Sequence, residues 1–234
     1  MIELSGSPTG IGRRRFLGRA VGGAVAGFAA QGGFRLAEAR PVPPQKPANP
    51  AAALNELIAG NERFAADRLT SIEDDLKILR ADTLEKQEPF AAVLACADSR
   101  VPVELVFDQT IGHLFVTRVA GNIVTPEIIA SLEYGVAVLG VKVLVVLGHS
   151  NCGAVKAAMK AEAAPGQIST LYPPLRRAVE QSGGSFEQAI TANAKLQAEL
   201  LRTSSTVIRE AVKTEKLKVH AGVYDLASGK VTLN

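Results

Sequence analysis

Cysteine and histidine are scarce in this chain, two and three among 234 residues, and tryptophan is absent. Two cysteines allow at most one disulfide, so no fold stapled by a disulfide framework is available. Charge is scarce in a different sense. Arg13, Arg14, Arg15, Arg19 and Arg35, set against Glu3 and Glu38, account for the whole formal excess of +3. The rest of the chain is neutral, and a neutral body offers no electrostatic footprint for nucleic acid. No apolar run reaches the roughly 20 residues of a membrane span. No internal repeat and no glycine-rich phosphate loop is visible. What remains is long enough for one globular domain with a sizeable core.

The N-terminal charge has a recognisable order. Arg13-Arg14-Arg15-Phe16-Leu17 precedes a mildly apolar run over 20–30, and Ala37-Glu38-Ala39 then forms a small-x-small cleavage site. That order is expected of an export signal over residues 1–39, of the twin-arginine type because of the arginine pair and the weak hydrophobicity. A basic amphipathic helix on a membrane surface, or an unstructured tail, is the competing reading. Residues 40–50 carry five prolines, which no helix or central strand accommodates, so an extended linker is expected. The folded domain is expected over 51–234.

Within it, Leu54, Leu57, Ile58 and Phe64 predict an amphipathic helix over 51–67, and a less regular pattern predicts another over 76–84. The continuous apolar runs 90–95, 114–119 and 141–147 predict buried parallel strands. Thr125-Pro126-Glu127 has the residues of a helix start: a cap, a proline at the first position and an acid at the positive end. Helices are further expected over 153–163, 172–181 and 186–215, and a closing hairpin over 217–225 and 230–233. Strands alternating with helices imply an α/β fold with a mostly parallel sheet flanked by helices.

Both cysteines lie in two short clusters, Cys96-Ala97-Asp98-Ser99-Arg100 and His149-Ser150-Asn151-Cys152. Each cluster follows a predicted strand, at the sheet edge where α/β sites form. Two thiolates and an imidazole suit a tetrahedral zinc with one position left for chemistry. An exported pair of cysteines also suits a disulfide. That reading gives no use to Asp98, Arg100 and His149.

At these residues the chain resembles the β-class carbonic anhydrases. The matching stretches are CADSRVP, LFVTRVAGN, SLEYGVAVLGV and VLGHSNCGAV, with LNELIAGNERF ahead of them and VHAGVYDLASGKV after, from about Leu54 to Leu233. The resemblance implies a β-carbonic-anhydrase-like sheet with an N-terminal helical arm that packs on a partner. It implies one Zn2+ per chain on Cys96, His149 and Cys152. Asp98 and Arg100 become a catalytic dyad, with Asp98 either filling the fourth zinc position or held off by Arg100. It implies a substrate pocket with Gln87, Phe115, Tyr134 and the backbone N–H of Gly153. The activity implied is reversible hydration of carbon dioxide to bicarbonate and a proton, by attack of hydroxide generated at zinc. Two thiolates neutralise the metal's charge, so hydration is expected to favour alkaline pH. The second bicarbonate site of some members needs a tryptophan, where this chain has Val93. His113 and His220 are expected to be structural, His113 being a proton shuttle only if it lines the mouth of the site.

Two other functions remain open to the sequence. One is hydrolysis of carbon disulfide or carbonyl sulfide by the same site. The other is a non-catalytic exported binding protein with a structural zinc or a disulfide. The implied assembly is a homodimer or a tetramer of dimers. The twin-arginine machinery would be a transient partner, nucleic acid would be none, and the location periplasmic or secreted.

Overall fold

The computed structural model describes residues 46–70 and 83–234. The expected export signal, most of the linker and most of the helix expected over 76–84 lie outside the described residues. In chain order the elements are α1 (Pro50–Ala65), β1 (Ala91–Ala95), α2 (Val103–Val106), β2 (Leu114–Arg118), α3 (Pro126–Ala137), β3 (Val143–His149), α4 (Gly153–Lys160), α5 (Tyr172–Gln181), α6 (Phe186–Ser204), α7 (Thr206–Lys213), β4 (Lys218–Tyr224) and β5 (Val231–Leu233). The five strands form one sheet in the order β2-β1-β3-β4-β5. All neighbours are parallel except β5, which returns antiparallel on β4. Among the described residues no helix is long and apolar enough to cross a membrane.

β1 and β3 are buried along their whole length, as expected of apolar runs covered on both faces. Their side chains alternate between two cores. Val93, Ala95, Val145 and Leu147 face Ala53 and Leu57 of α1 and the α2 segment with Phe107. Ala92, Leu94, Leu144 and Val146 face Leu132 of α3, Ala194, Ala198 and Leu201 of α6, and Ile208 of α7. The strands are thereby fixed in height, and with them whatever projects from their C-terminal ends.

The α1 helix starts where Asn49 Oδ1 accepts the Ala52 N–H at 2.9 Å, with Pro50 as its first residue. Its buried face is engaged within its own protomer. Asn61 donates to the carbonyls of Val106 at 3.0 Å and Gly229 at 2.9 Å, and accepts the Val231 N–H at 2.7 Å. The arm therefore docks first on its own β5 turn and α2, and only the remaining face is open to a partner. Gly60 permits this approach, because a Cβ there would lie 1.8 Å from the Phe107 carbonyl oxygen. Gly60→Ala is expected to cost about 3 kcal/mol, the upper end of ordinary overpacking, since the obstacle is backbone. A urea midpoint equal to that of the parent protein would contradict this packing.

One expectation needs correction. Helical periodicity over 186–215 predicts a single helix, but the chain turns extended at Ser205 (φ −98°, ψ 121°) and forms α6 and α7. Ser205 Oγ accepts the Ile208 N–H at 3.0 Å and donates to Glu133 Oε1 at 2.6 Å. A serine that caps a new helix and bonds a neighbouring one outweighs helix continuity.

Candidate metal centre

Cys96 directly follows β1, and His149 is the last residue of β3. The strands are parallel neighbours with Ala95 opposite Leu147, so both side chains emerge at one edge. Cys152 comes from the turn into α4, where Asn151 takes a left-handed conformation (φ 56°) and Cys152 is the N-cap. The ligand atoms of Cys96, His149 and Cys152 all lie within 4.8 Å of one another, and all three residues are buried.

The protonation of His149 is set by its neighbour. Nδ1 lies 2.9 Å from the Ser150 carbonyl oxygen and donates to it. Nε2 is buried with no hydrogen-bond partner. A buried polar atom left unpaired is costly, and here it is a lone pair aimed among two sulfurs. Both cysteines are free thiols, so this structure has no disulfide between them. The neighbouring Cys152 side chain draws the Cys96 thiol well below its ordinary range, with His149 and the N–H groups of Gly121 and Asp98 adding to it against burial. The Cys96 side chain, together with burial, pushes Cys152 up, although the Val155 and Ala154 N–H groups at the start of α4 oppose it. A divalent cation held by the three would displace the thiol protons and take both sulfurs as thiolates. The set is soft, buried and short of one partner, and it fits Zn2+.

Asp98 stands beside this group and is turned to Arg100. Arg100 Nε reaches Asp98 Oδ1 at 2.9 Å and Nη2 reaches Oδ2 at 2.8 Å, while the Arg100 N–H donates to Oδ1 at 3.0 Å. This bidentate pair holds the carboxyl well below the usual carboxylate range. Asp98 Oδ2 lies 3.8 Å from His149 Nε2. Of the two arrangements open to Asp98, the structure has the one held off by arginine. Arg100 Nη2 also donates to the Asn151 carbonyl at 3.3 Å, tying together the two ligand loops. Arg118 at the end of β2 donates to the carbonyls of Cys96 at 3.1 Å and Asp98 at 2.5 Å.

The other expected residues are distributed differently. Gly153 opens α4 directly after Cys152, and the space where its Cβ would stand is empty to 4 Å. Phe115 of β2 and Tyr134 of α3 contact each other, ring centres 6.3 Å apart. Gln87 is exposed in the irregular stretch before β1. Among the described residues, no hydrogen bond joins Gln87 or Tyr134 to the ligand group. His113 is not at the mouth of the site. It precedes β2, beside Phe90 and Gln109, a full strand length of about 16 Å from the ligand edge, so it does not shuttle protons there. His220 lies within β4, its pKa lowered first by burial and then by Arg202 and Lys218.

Sequence reasoning did not single out Gly121, Asn193 and Gln197. Gly121 donates its N–H to Cys96 Sγ at 3.3 Å, and Asn193 Nδ2 donates to the Gly121 carbonyl at 2.8 Å. The glycine within the RVAGN string was the one signal that marked this turn.

The family model described as "Carbonic anhydrase" matches residues 91–231. "Carbonic anhydrase 2" of Mycobacterium tuberculosis is 46% identical over 113 residues, covering 48% of this chain and 54% of that protein. The chain thus spans about half the length of that relative. The carbonic anhydrase of Mycolicibacterium smegmatis is 34% identical over 196 residues, covering 79% of this chain and 93% of that one. Among solved structures, a tetrameric β-carbonic anhydrase of Sordaria macrospora superposes with a TM-score of 0.62 at 25% identity, covering 77% of this chain and 95% of its own. A β-carbonic anhydrase of Aspergillus fumigatus gives 0.63 at 27%, covering 77% and 90%. The parallel sheet, the Cys-His-Cys group at its edge and a family match across that sheet agree, and the chain belongs to the β-class carbonic anhydrase family.

Proposed function

We propose that the protein catalyses the zinc-dependent, reversible hydration of carbon dioxide to bicarbonate and a proton. One observation carries the proposal: two free sulfurs and an unpaired imidazole nitrogen converge within 4.8 Å beside an aspartate that arginine holds ionised. When bound, zinc supplies the Lewis acidity that lets water yield hydroxide near neutral pH, the effect for which carbonic anhydrase is itself the reference case.

The chain's own groups do the rest. Cys96, His149 and Cys152 hold the cation, and Ser150 fixes the His149 tautomer. Arg100 keeps Asp98 ionised and turned aside, which leaves room for water. Asp98 Oδ2, the oxygen near His149, accepts the hydrogen bond of the attacking oxygen and so aims its lone pair at the carbon of the substrate. The Gly153 N–H, at the positive end of α4 and next to Cys152, is the group proposed to meet the oxygen that gains negative charge as the carbon is attacked. The proton released leaves to solvent, and water replaces bicarbonate. Removing zinc with a chelator is expected to abolish hydration, and one equivalent of Zn2+ is expected to restore it. Full activity in the stripped protein would refute the proposal.

The pocket is proposed to be completed across a subunit interface. β2 is the outer strand of the sheet. Within it Phe115 is half-buried, and beside it Tyr134 and Val138 are 47% and 64% exposed, an apolar edge that a second copy would cover. The Sordaria macrospora structures are tetrameric. Light scattering on the purified protein should give the mass of a dimer or tetramer, and a monomer at micromolar concentration would contradict this assembly. Export through the twin-arginine route to the periplasm rests on Arg13, Arg14 and the 37–39 cleavage site. It brings the domain out already folded and metal-loaded, so its thiols escape oxidation. Cell fractionation tests it, with Arg13→Lys/Arg14→Lys expected to retain the protein in the cytoplasm and unchanged export counting against it.

A further inference from the structure

Two amides are buried on α6 one helical turn apart, Asn193 and Gln197, 1% and 3% exposed. They form a chain of hydrogen bonds that ends on a sulfur. Gln197 Oε1 accepts the Val124 N–H at 2.8 Å, and Gln197 Nε2 donates to the Pro174 carbonyl at 3.2 Å and to Asn193 Oδ1 at 3.1 Å. Those bonds orient the Asn193 amide so that Nδ2 donates to the Gly121 carbonyl at 2.8 Å. Across the Gly121 Cα, in the preceding peptide, the N–H of the same residue donates to Cys96 Sγ at 3.3 Å.

The turn that presents this N–H is closed by one backbone bond of its own, from the Asn122 N–H to the Val119 carbonyl at 2.9 Å. Gly121 and Asn122 are both left-handed, φ 76° and 42°, conformations that glycine adopts freely and asparagine tolerates. The Asn122 side-chain Nδ2 is buried without a partner and contributes nothing to holding the turn. A Cβ on Gly121 would press on Ala154 and Leu175 at 3.3 Å. The Gly121 carbonyl belongs to the peptide whose Asn122 N–H closes this turn and the Gly121 N–H to the preceding peptide, so Asn193 acts across the Gly121 Cα, as a second anchor from α6 on a residue also held by the turn bond and its packing.

We propose that Asn193 is a positioning residue for the metal centre: by anchoring the Gly121 carbonyl it holds the N–H on the other side of the same Cα against Cys96 Sγ, and this bond withdraws electron density from one thiolate. This rests on the reading of Cys96 as a zinc ligand. Two thiolates neutralise a dication and weaken it as a Lewis acid. Hydrogen bonds to ligand sulfurs return part of that acidity. Gln197 acts one step further back, by fixing which end of the Asn193 amide faces Gly121.

The test uses the full-length protein loaded with Co2+ or 113Cd2+. Asn193→Asp keeps shape and volume but removes the donor, and Gln197 can still donate to it. The parent cobalt protein is expected to show a thiolate-to-metal charge-transfer band. That band is expected to move to longer wavelength in Asn193→Asp, because a sulfur without its hydrogen bond gives up electron density more easily. The zinc form of the variant is expected to hydrate carbon dioxide about 10-fold more slowly, the lower end for loss of a ligand's supporting partner. In the 15N-labelled, 113Cd-loaded parent, the Gly121 amide is expected to show coupling to cadmium across the hydrogen bond, and the variant to lose it. A band that does not move in the folded variant, or a coupling that survives in it, overturns the role of Asn193. Should the variant fail to fold, the parent's cadmium coupling decides, and its absence at Gly121 overturns the inference. A parent protein that takes up Co2+ without any thiolate band overturns the metal reading itself.

Discussion

Cys96→Ala is expected to give a folded protein that holds no stoichiometric zinc and hydrates no carbon dioxide above background. Cys96 is 4% exposed and packs among Ile123, Val155 and Leu175, so alanine leaves a small gap whose cost stays below a domain's usual stability margin of about 5–15 kcal/mol. The metal is the more sensitive readout. Disturbing only the hydrogen-bond partner of a ligand typically weakens a site 10–100-fold, and removing one of three ligands must exceed that. The His149 Nε2 lone pair and Cys152 sulfur would remain, too few for a closed site in which a thiolate has been lost. Zinc counted per chain and the hydration rate should fall together. A variant that keeps one zinc and its rate would remove Cys96 from the centre.

Asp98→Ala should separate what Cys96→Ala keeps together. Asp98 is not among the converging ligand atoms, and its carboxylate is held by Arg100 through three hydrogen bonds. Its loss is therefore expected to leave zinc at one per chain. The proposed role is to accept a hydrogen bond from the attacking oxygen, and positioned groups of this kind contribute roughly 10²–10⁴-fold. We expect kcat/KM to drop by about 10³, with near-normal unfolding behaviour because the pair is partly exposed at the surface. A full rate in Asp98→Ala would refute its role, and loss of zinc in the same variant would make it a ligand instead.

The sheet was legible because parallel strands covered on both faces have a plain signature. The runs ending at Ala95 and Leu147 are continuous apolar stretches of strand length, and each is followed by its ligand cluster. The start of α3 was legible from Thr125 followed by proline, whereas α1 begins one residue earlier than expected, because Asn49 and Pro50, assigned to the linker, cap and open the helix. The break at Ser205 was not, since helical periodicity continues through it and the deciding bond to Glu133 spans 72 residues of sequence. The three ligands could be read as a chemical set, but whether Asp98 joins them depends on Arg100 geometry that spacing does not encode. Asn193 and Gln197 were illegible for a related reason. Polar residues one turn apart on a helix look like a solvated face, and only the packing of α6 on the sheet buries them. Phe115 and Tyr134 were named from family resemblance, and within one protomer they contact each other rather than the ligands.

The most direct test of the account is stopped-flow hydration of carbon dioxide by the chain from Arg40 onward, with bound zinc counted on the same sample. The account predicts fast hydration, about one zinc per chain, and loss of both on chelation. A protein that binds one zinc and hydrates no carbon dioxide, or one that hydrates it at full rate without metal, would contradict it.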